Sequence, residues 1–558
     1  MSEETWQTAR LIPTSGINGA DEAERRATSA LLAVASVVRE FGTALVKPLG
    51  APVSAVETFI EVPFMLEDRR VYPDGLLRTR RGNRTWTALV EVKTGASQLQ
   101  RQQVEDYLDV AREQGFDAVL TVSNEIPHAP GVHPTLVDKR RLKKVALHHY
   151  SWSEILTLAV QHRVYRGVSD PEQAWILGEL IRYLEHPKSG ALDFSDMGEA
   201  WPAVRDAVGI GTLRPNDKGL TEVVLRWEQL LQFCALHMGR ELGAEVQVVL
   251  SRKEQAEPNL RLFAQVEQMV DLGRLTGSIR VPQAIGDLTI VADLRAGRIH
   301  VSVDVDAPAE GRQATRVGWL LRQLKEAPAQ LRVDSWSHMS RQSMSELLST
   351  VRESPERLFE DPKKNLRLFR VTATSTLGTK RGAGRGGFID SVISALEGFY
   401  EAVVQDLRPW VAKAPQLPSS GRTAAETVGI DVSPPPLDLE EPVGDDEPLR
   451  GESVDLPPSE PEDFDVEVDS IVNDGRTGGF PDGPVVGDAA DEDDLLSWDS
   501  VAEKDQAAAS PAVAEVGRSA DAPSEQGSEP PIRDGSTNVE SRAQVDEGEP
   551  PPTGLPIV

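Results

Sequence analysis

The stretch Thr85–Lys93 (TWTALVEVK) limits the chain's folding choices more than any other. It is rich in β-branched and aromatic residues and too short for a typical helix, so it predicts a buried strand. Alternation along that strand puts Glu91 and Lys93 on one face and Val92 on the other. Upstream, the polar stretch Arg78–Arg84 contains Gly82-Asn83 and can return the chain as a hairpin, which requires a partner strand before it. Asp74, preceded by Tyr72 and Pro73, falls where that earlier strand is expected to end. Two carboxylates and one ammonium thus converge at one end of a sheet.

Hard oxygen ligands of this kind suit magnesium or manganese, which take one or two carboxylates and keep several waters. A lysine beside such a pair can position an attacking water or balance charge near a phosphate. A Gln-rich helical stretch follows the strand and carries Gln103 and Tyr107 one turn apart on one face. Pro73-Asp74, then Glu91-Val92-Lys93, then Gln103-x-x-x-Tyr107 resembles the PD-(D/E)XK nuclease superfamily, in its RecB-like branch, over residues 20–160. The resemblance implies a restriction-endonuclease-like mixed sheet flanked by helices. It also implies that Asp74, Glu91 and the Val92 carbonyl are metal ligands and that Lys93 is the catalytic lysine. Gln103 and Tyr107 would then position the substrate phosphate or the lysine.

Before this core, residues 1–19 read as a loose lead-in, and Asp21 can cap a helix running to about Arg39 with Leu31, Ala35 and Val38 on one stripe. Glu24 shares that stripe. Superfamily members often carry an acid on their first helix beside the site, so Glu24 is a further candidate ligand; a first-turn acid favoured by the helix dipole explains it equally well. Strands are expected at Val56–Phe64, Leu66–Arg70, Phe116–Ser123 and Lys144–Tyr150. Ser151 and Glu154 predict a capping box opening the next helix. This alternation makes residues 20–162 an α/β domain. His128, His133, His148 and His149 read as packing or surface residues.

Residues 165–413 read as an α+β domain of a different kind. Helices are expected at Ala174–Leu184, Leu220–Leu242, Gly318–Leu324, Met344–Arg352 and Ile389–Leu407. Strands are expected at Glu245–Leu250, Gly277–Val281, Asp287–Leu294, Arg298–Val305 and Arg367–Thr374. The loop Thr379–Gly387 (TKRGAGRGG) sets Lys380, Arg381 and Arg385 among glycines ahead of a helix, which makes either an anion seat or a solvated basic loop. It lacks the Gly-Lys-Ser/Thr ending of a nucleotide P-loop.

A net charge of −29 would argue against a nucleic-acid partner if it were evenly spread. About 35 of the 88 acidic residues, against about 7 of the 59 basic ones, lie beyond Lys413, so residues 1–413 are close to neutral. Residues 414–558 are rich in Pro, Asp, Glu, Ser and Gly and are expected to be disordered, because they cannot bury enough surface to offset ordering entropy. Within them Leu495, Leu496 and Trp498 interrupt an acidic run and suit a short partner-binding motif, or a chance apolar cluster. The single cysteine, Cys234, excludes an intramolecular disulfide. With no apolar leader and no run of about eighteen apolar residues, a cytoplasmic location is expected.

The function expected from these residues is magnesium-dependent hydrolysis of DNA phosphodiester bonds, with Arg78, Arg80, Arg81 and Arg84 contacting the backbone. Two other classes fit the same sequence: a nuclease-like fold that binds nucleic acid without cutting it, and a scaffold recruiting partners through its acidic tail.

Overall fold

A computed structural model describes residues 7–8, 22–361, 364–380, 386–412 and 414. Asp21, Arg381, Arg385 and the acidic segment with Leu495, Leu496 and Trp498 lie outside the described residues.

In chain order the first half runs β1 (Gln7–Thr8), α1 (Glu22–Val37), α2 (Arg39–Val46), β2 (Val56–Ile60), β3 (Phe64–Leu66), β4 (Arg69–Val71), β5 (Gly75–Arg81), β6 (Arg84–Val92), α3 (Arg101–Gln114), β7 (Ala118–Ser123), β8 (Ala146–Ser151), α4 (Trp152–Val160) and α5 (Pro171–Glu185). Six of these strands form a mixed sheet in the order β1-β2-β5-β6-β7-β8. The pairs from β1 to β6 are antiparallel, and β6-β7 and β7-β8 are parallel. The β6-α3-β7 connection explains the change: parallel neighbours need a crossover, and α3 supplies it.

Each face buries its own core. Ala88, Val90 and Val92 of β6 face α1, α2, α4 and α5, together with Leu31, Phe41, Trp152 and Leu177. Leu89 points the other way, toward Val104, Tyr107 and Leu108 of α3. The strand is therefore apolar on both sides, as its composition predicts, and Glu91 shares the face of Leu89. Ser151 opens α4 with the expected capping box: its side chain accepts the Glu154 amide, and the Glu154 carboxylate accepts the Ser151 amide.

Several expectations shift. The run Val56–Phe64 is not one strand; it stops at Ile60, where Glu61 takes a positive φ of 51°. Phe64–Leu66 then pairs with Arg69–Val71 as a separate ribbon, so the expected strand Leu66–Arg70 contains a turn, with Glu67 at φ 52°. Asp74 precedes the strand Gly75–Arg81 instead of ending one. Gln7–Thr8, expected within a loose lead-in, extends the sheet edge against Phe59 and Ile60.

The remainder runs α6 (Trp201–Gly209), α7 (Leu220–Leu242), β9 (Gln247–Val248), α8 (Arg252–Ala256), α9 (Asn259–Leu272), β10 (Arg274–Arg280), β11 (Leu288–Asp293), β12 (Arg298–Asp306), α10 (Gln313–Gln323), β13 (Arg332–Ser337), β14 (Ser343–Leu347), α11 (Leu348–Glu353), β15 (Leu366–Thr376) and α12 (Phe388–Ala402). Seven strands pair antiparallel in the order β14-β13-β15-β12-β11-β10-β9. Met344–Leu347 is strand where helix was expected, and the helix begins only at Leu348. Cys234 lies in the core of α7, its thiol pushed up to about 12 by burial.

α4 joins the two sheets. The Thr157 hydroxyl donates to the Leu236 carbonyl at 3.3 Å, and the Gln161 amide donates to the Gly239 and Ala244 carbonyls at 3.2 and 2.9 Å. Both sheets belong to one compact unit. No single described helix is long and apolar enough to cross a membrane.

Candidate active site

Four elements meet where β6 ends. Asp74 enters from the turn before β5, Glu91 and Lys93 come from β6, Glu24 from the first turn of α1, and Gln103 and Tyr107 from α3. Their approach depends on a small residue. A Cβ on Gly75 would stand 2.3 Å from Leu32 Cδ1, so glycine lets α1 press against the strand beside Asp74.

The backbone fixes the acids. Asp74 Oδ2 accepts the Val92 amide at 2.8 Å, which ties Asp74 to the residue between Glu91 and Lys93. The Lys93 amide donates to the Val122 carbonyl at 2.8 Å, and the Trp152 indole donates to the Lys93 carbonyl at 2.9 Å. Lys93 is thus held from β7 and from α4. Its ammonium lies 2.7 Å from Glu91 Oε1 and 3.4 Å from Glu24 Oε2. Gln103 donates to the Tyr107 hydroxyl at 3.1 Å, and that hydroxyl donates to the Tyr72 carbonyl at 3.2 Å, just upstream of Asp74.

Glu91 is 1% exposed, its carboxylate buried against the Lys93 ammonium and beside Asp74. Burial, and then the charge of Asp74, push its pKa up to about 8, against the opposing pull of Lys93. Asp74 is also raised, by burial first, although the Val92 amide and Lys93 resist. Burial works against the Lys93 ammonium, but Glu91, Asp74 and Glu24 outweigh it and hold its pKa above the ordinary value. Tyr107 stays protonated, raised by burial and by Glu91. Two buried carboxylates beside one ammonium form an electron-rich site short of positive charge.

This donor set would fit a hard divalent cation: the two acids supply buried carboxylate oxygens that the single Lys93 charge does not balance. Among the described residues no three of His, Cys, Asp and Glu form a ready metal cage. Glu24 is brought to Lys93, so its shown contact is with the ammonium. Asp74 also lines a cleft of about 380 Å³ with Arg25, Thr28, Ser29, Tyr72 and Pro73.

The expected nucleic-acid contacts do not gather here. Arg78 is 4% exposed and lies over the Phe59 ring, so it packs within the sheet layer and is not displayed as expected. Arg80 lies 3.8 Å from Glu57. Arg81 and Arg84 are exposed, but they pair across the turn at the far end of β5 and β6, about 20 Å from Asp74 at the usual rise per strand residue. At the second expected anion seat, the Gly386 amide is taken by the Asp390 carboxylate at 2.9 Å, and Lys380 forms an isolated bridge with Gly387.

Sequence reasoning missed one polar cluster. Glu91, Thr121 and His149 stand in register on three adjacent parallel strands, and loop residue His133 reaches the same place. His149 Nε2 faces the Glu125 carbonyl at 2.8 Å and must donate, leaving Nδ1 to accept the Thr121 hydroxyl at 2.8 Å. Thr121 Oγ1 then receives the proton on His133 Nε2 at 2.8 Å, while His133 Nδ1 accepts the Thr135 amide at 3.0 Å. All four ring nitrogens are engaged. The two histidines read as packing residues therefore hold the loop after β7 against the sheet. Parallel register could have placed Thr121 and His149 beside Glu91, but nothing local marks His133.

No protein-family model matches this chain, and no curated protein matches it in sequence.

Proposed function

We propose that this protein is a metal-dependent nuclease that hydrolyses DNA phosphodiester bonds, with a restriction-endonuclease-like core of the PD-(D/E)XK type. The observation that carries the reading is the convergence of Asp74, Glu91 and Lys93 at one strand end, with the Glu91 carboxylate buried 2.7 Å from the Lys93 ammonium and Asp74 tied to the Val92 amide. Asp74, Glu91 and the Val92 carbonyl would hold magnesium or manganese. When bound, that ion acts as a Lewis acid on the scissile phosphate and lowers the pKa of the attacking water.

The chain's own groups do the remaining work. The Val92 amide keeps one Asp74 oxygen engaged and so sets the orientation of the other. Lys93, charged and held by its backbone on two sides, places a positive charge where a pentavalent phosphate would develop negative charge. Tyr107, protonated and fixed by Gln103 and the Tyr72 carbonyl, stiffens the segment that carries Asp74.

The test is incubation of the purified protein with linear duplex, circular duplex and single-stranded DNA and with RNA, in magnesium or in chelator. The expected result is magnesium-dependent cleavage of DNA by the wild type and none by Glu91→Ala. A folded wild type that cuts no nucleic acid in magnesium or manganese, or a fully active Glu91→Ala, overturns the reading.

A further inference from the structure

The sequence VDKRRLKK, residues 137–144, packs five cations into six positions, and the site just described uses none of them. The structure separates their roles. Arg141 is half-buried and turns inward, pairing with Asp109 and lying 3.7 Å from Glu105 on α3; it also donates to the Glu105 carbonyl at 3.2 Å. The Asp138 amide donates to Glu105 Oε1 at 3.0 Å, and the Asp138 carboxylate accepts the Arg140 amide at 2.9 Å. The segment is therefore bolted to the helix that carries Gln103 and Tyr107. Lys139, Arg140, Lys143 and Lys144 point the other way: all four are exposed, and none forms an ion pair among the described residues. Some exposed arginines elsewhere face a carboxylate, as Arg274 does Asp293 and Arg280 does Asp287.

An uncompensated cationic strip on a rigid mount, in a part of the chain that is otherwise close to neutral, fits a polyanion. Around the 3-10 turn Arg141–Lys143 the strip spans about 10 Å at roughly 2 Å per residue, enough to face several phosphates of a duplex strand. We propose that Lys139, Arg140, Lys143 and Lys144 form the track that grips the nucleic-acid phosphodiester backbone. In this assignment the strip, and not the hairpin arginines, carries the grip on phosphate. This assignment rests on the nucleic-acid reading of the site and names where its substrate is held.

The experiment measures binding of a short DNA duplex to the full chain in chelator, across a salt titration. Replacing all four residues by Gln is expected to weaken binding at low salt by at least about tenfold and to reduce the slope of log K against log salt by about 3 to 4, at roughly 0.9 per phosphate contact. Lys143→Gln/Lys144→Gln, half that change at exposed positions, should shift both readouts in the same direction by about half as much. Unchanged affinity and slope in both variants overturn the track, as does an equal loss in Arg81→Gln/Arg84→Gln. Strip-dependent binding by a wild type that never cleaves in magnesium supports the track while removing the nuclease reading. Magnesium-dependent cleavage with the same KM in wild type and strip variants does the reverse.

Discussion

Glu24 Oε2 lies 3.4 Å from Lys93 Nζ although 69 residues separate the two. The first turn of the first helix thereby reaches the site, and the lysine is shared by two acids. Glu24→Gln removes one charge and keeps a polar group of the same size. It should lower cleavage by roughly tenfold and leave thermal stability nearly unchanged, because Lys93 keeps its closer partner Glu91 and Gln still offers an oxygen to the ammonium. Cleavage rates beside a melting curve check this; wild-type activity would assign Glu24 to the helix dipole alone.

Tyr107 is positioned by two hydrogen bonds, so its loss should act through geometry. Tyr107→Phe keeps the ring and removes the donor to the carbonyl of exposed Tyr72, which water can reach, at a cost of about 0.5–1.5 kcal/mol. Cleavage should fall partially, with Gln103→Ala milder still. Total loss with an intact fold would instead make Tyr107 a reacting group.

Trp152→Phe tests the support beneath Lys93. The substitution preserves most of the buried ring but removes the donor to the Lys93 carbonyl. A loss of about 1–2 kcal/mol in stability and a larger proportional loss in kcat than in KM are expected, since the ammonium would be less well placed. Equal changes in kcat and KM, or none, would make the indole bond structural only.

His149 should govern part of the acid sensitivity. Burial outweighs the opposing Glu125 carbonyl and lowers its pKa from 6.5 to about 3, so between those values the unfolded chain binds a proton that the folded one refuses. Its stabilising contribution is thus complete above about pH 6.5 and is lost as pH falls toward about 3. Urea midpoints at about pH 7 and about pH 5 should differ more for the wild type than for His149→Gln. Equal differences would remove His149 from the acid limb.

Local signals carried well where one element decides the outcome. The Ser151–Glu154 box sets the start of α4, the long apolar stripe places α7 at Leu220–Leu242, and the Gln103–Tyr107 spacing puts both residues on the flank that reaches Tyr72. Reading failed where meaning depended on which end of a strand a residue occupies. The arginines from Arg78 to Arg84 looked adjacent to the acids because they are adjacent in sequence, yet an extended strand carries its two ends far apart and Arg78 falls within its buried stretch. The joining of His133 to Thr121, and of Trp152 to Lys93, is made only by tertiary packing. No local pattern announces either.

Because α4 holds the Lys93 carbonyl at one end and grips the α7 backbone through Thr157 and Gln161 farther along, the two sheets have little freedom to open separately. Slow amide exchange in β6 and in α7 should therefore share one opening free energy, so that a loosening lesion deep in the antiparallel sheet registers as faster deuterium uptake beside the acids.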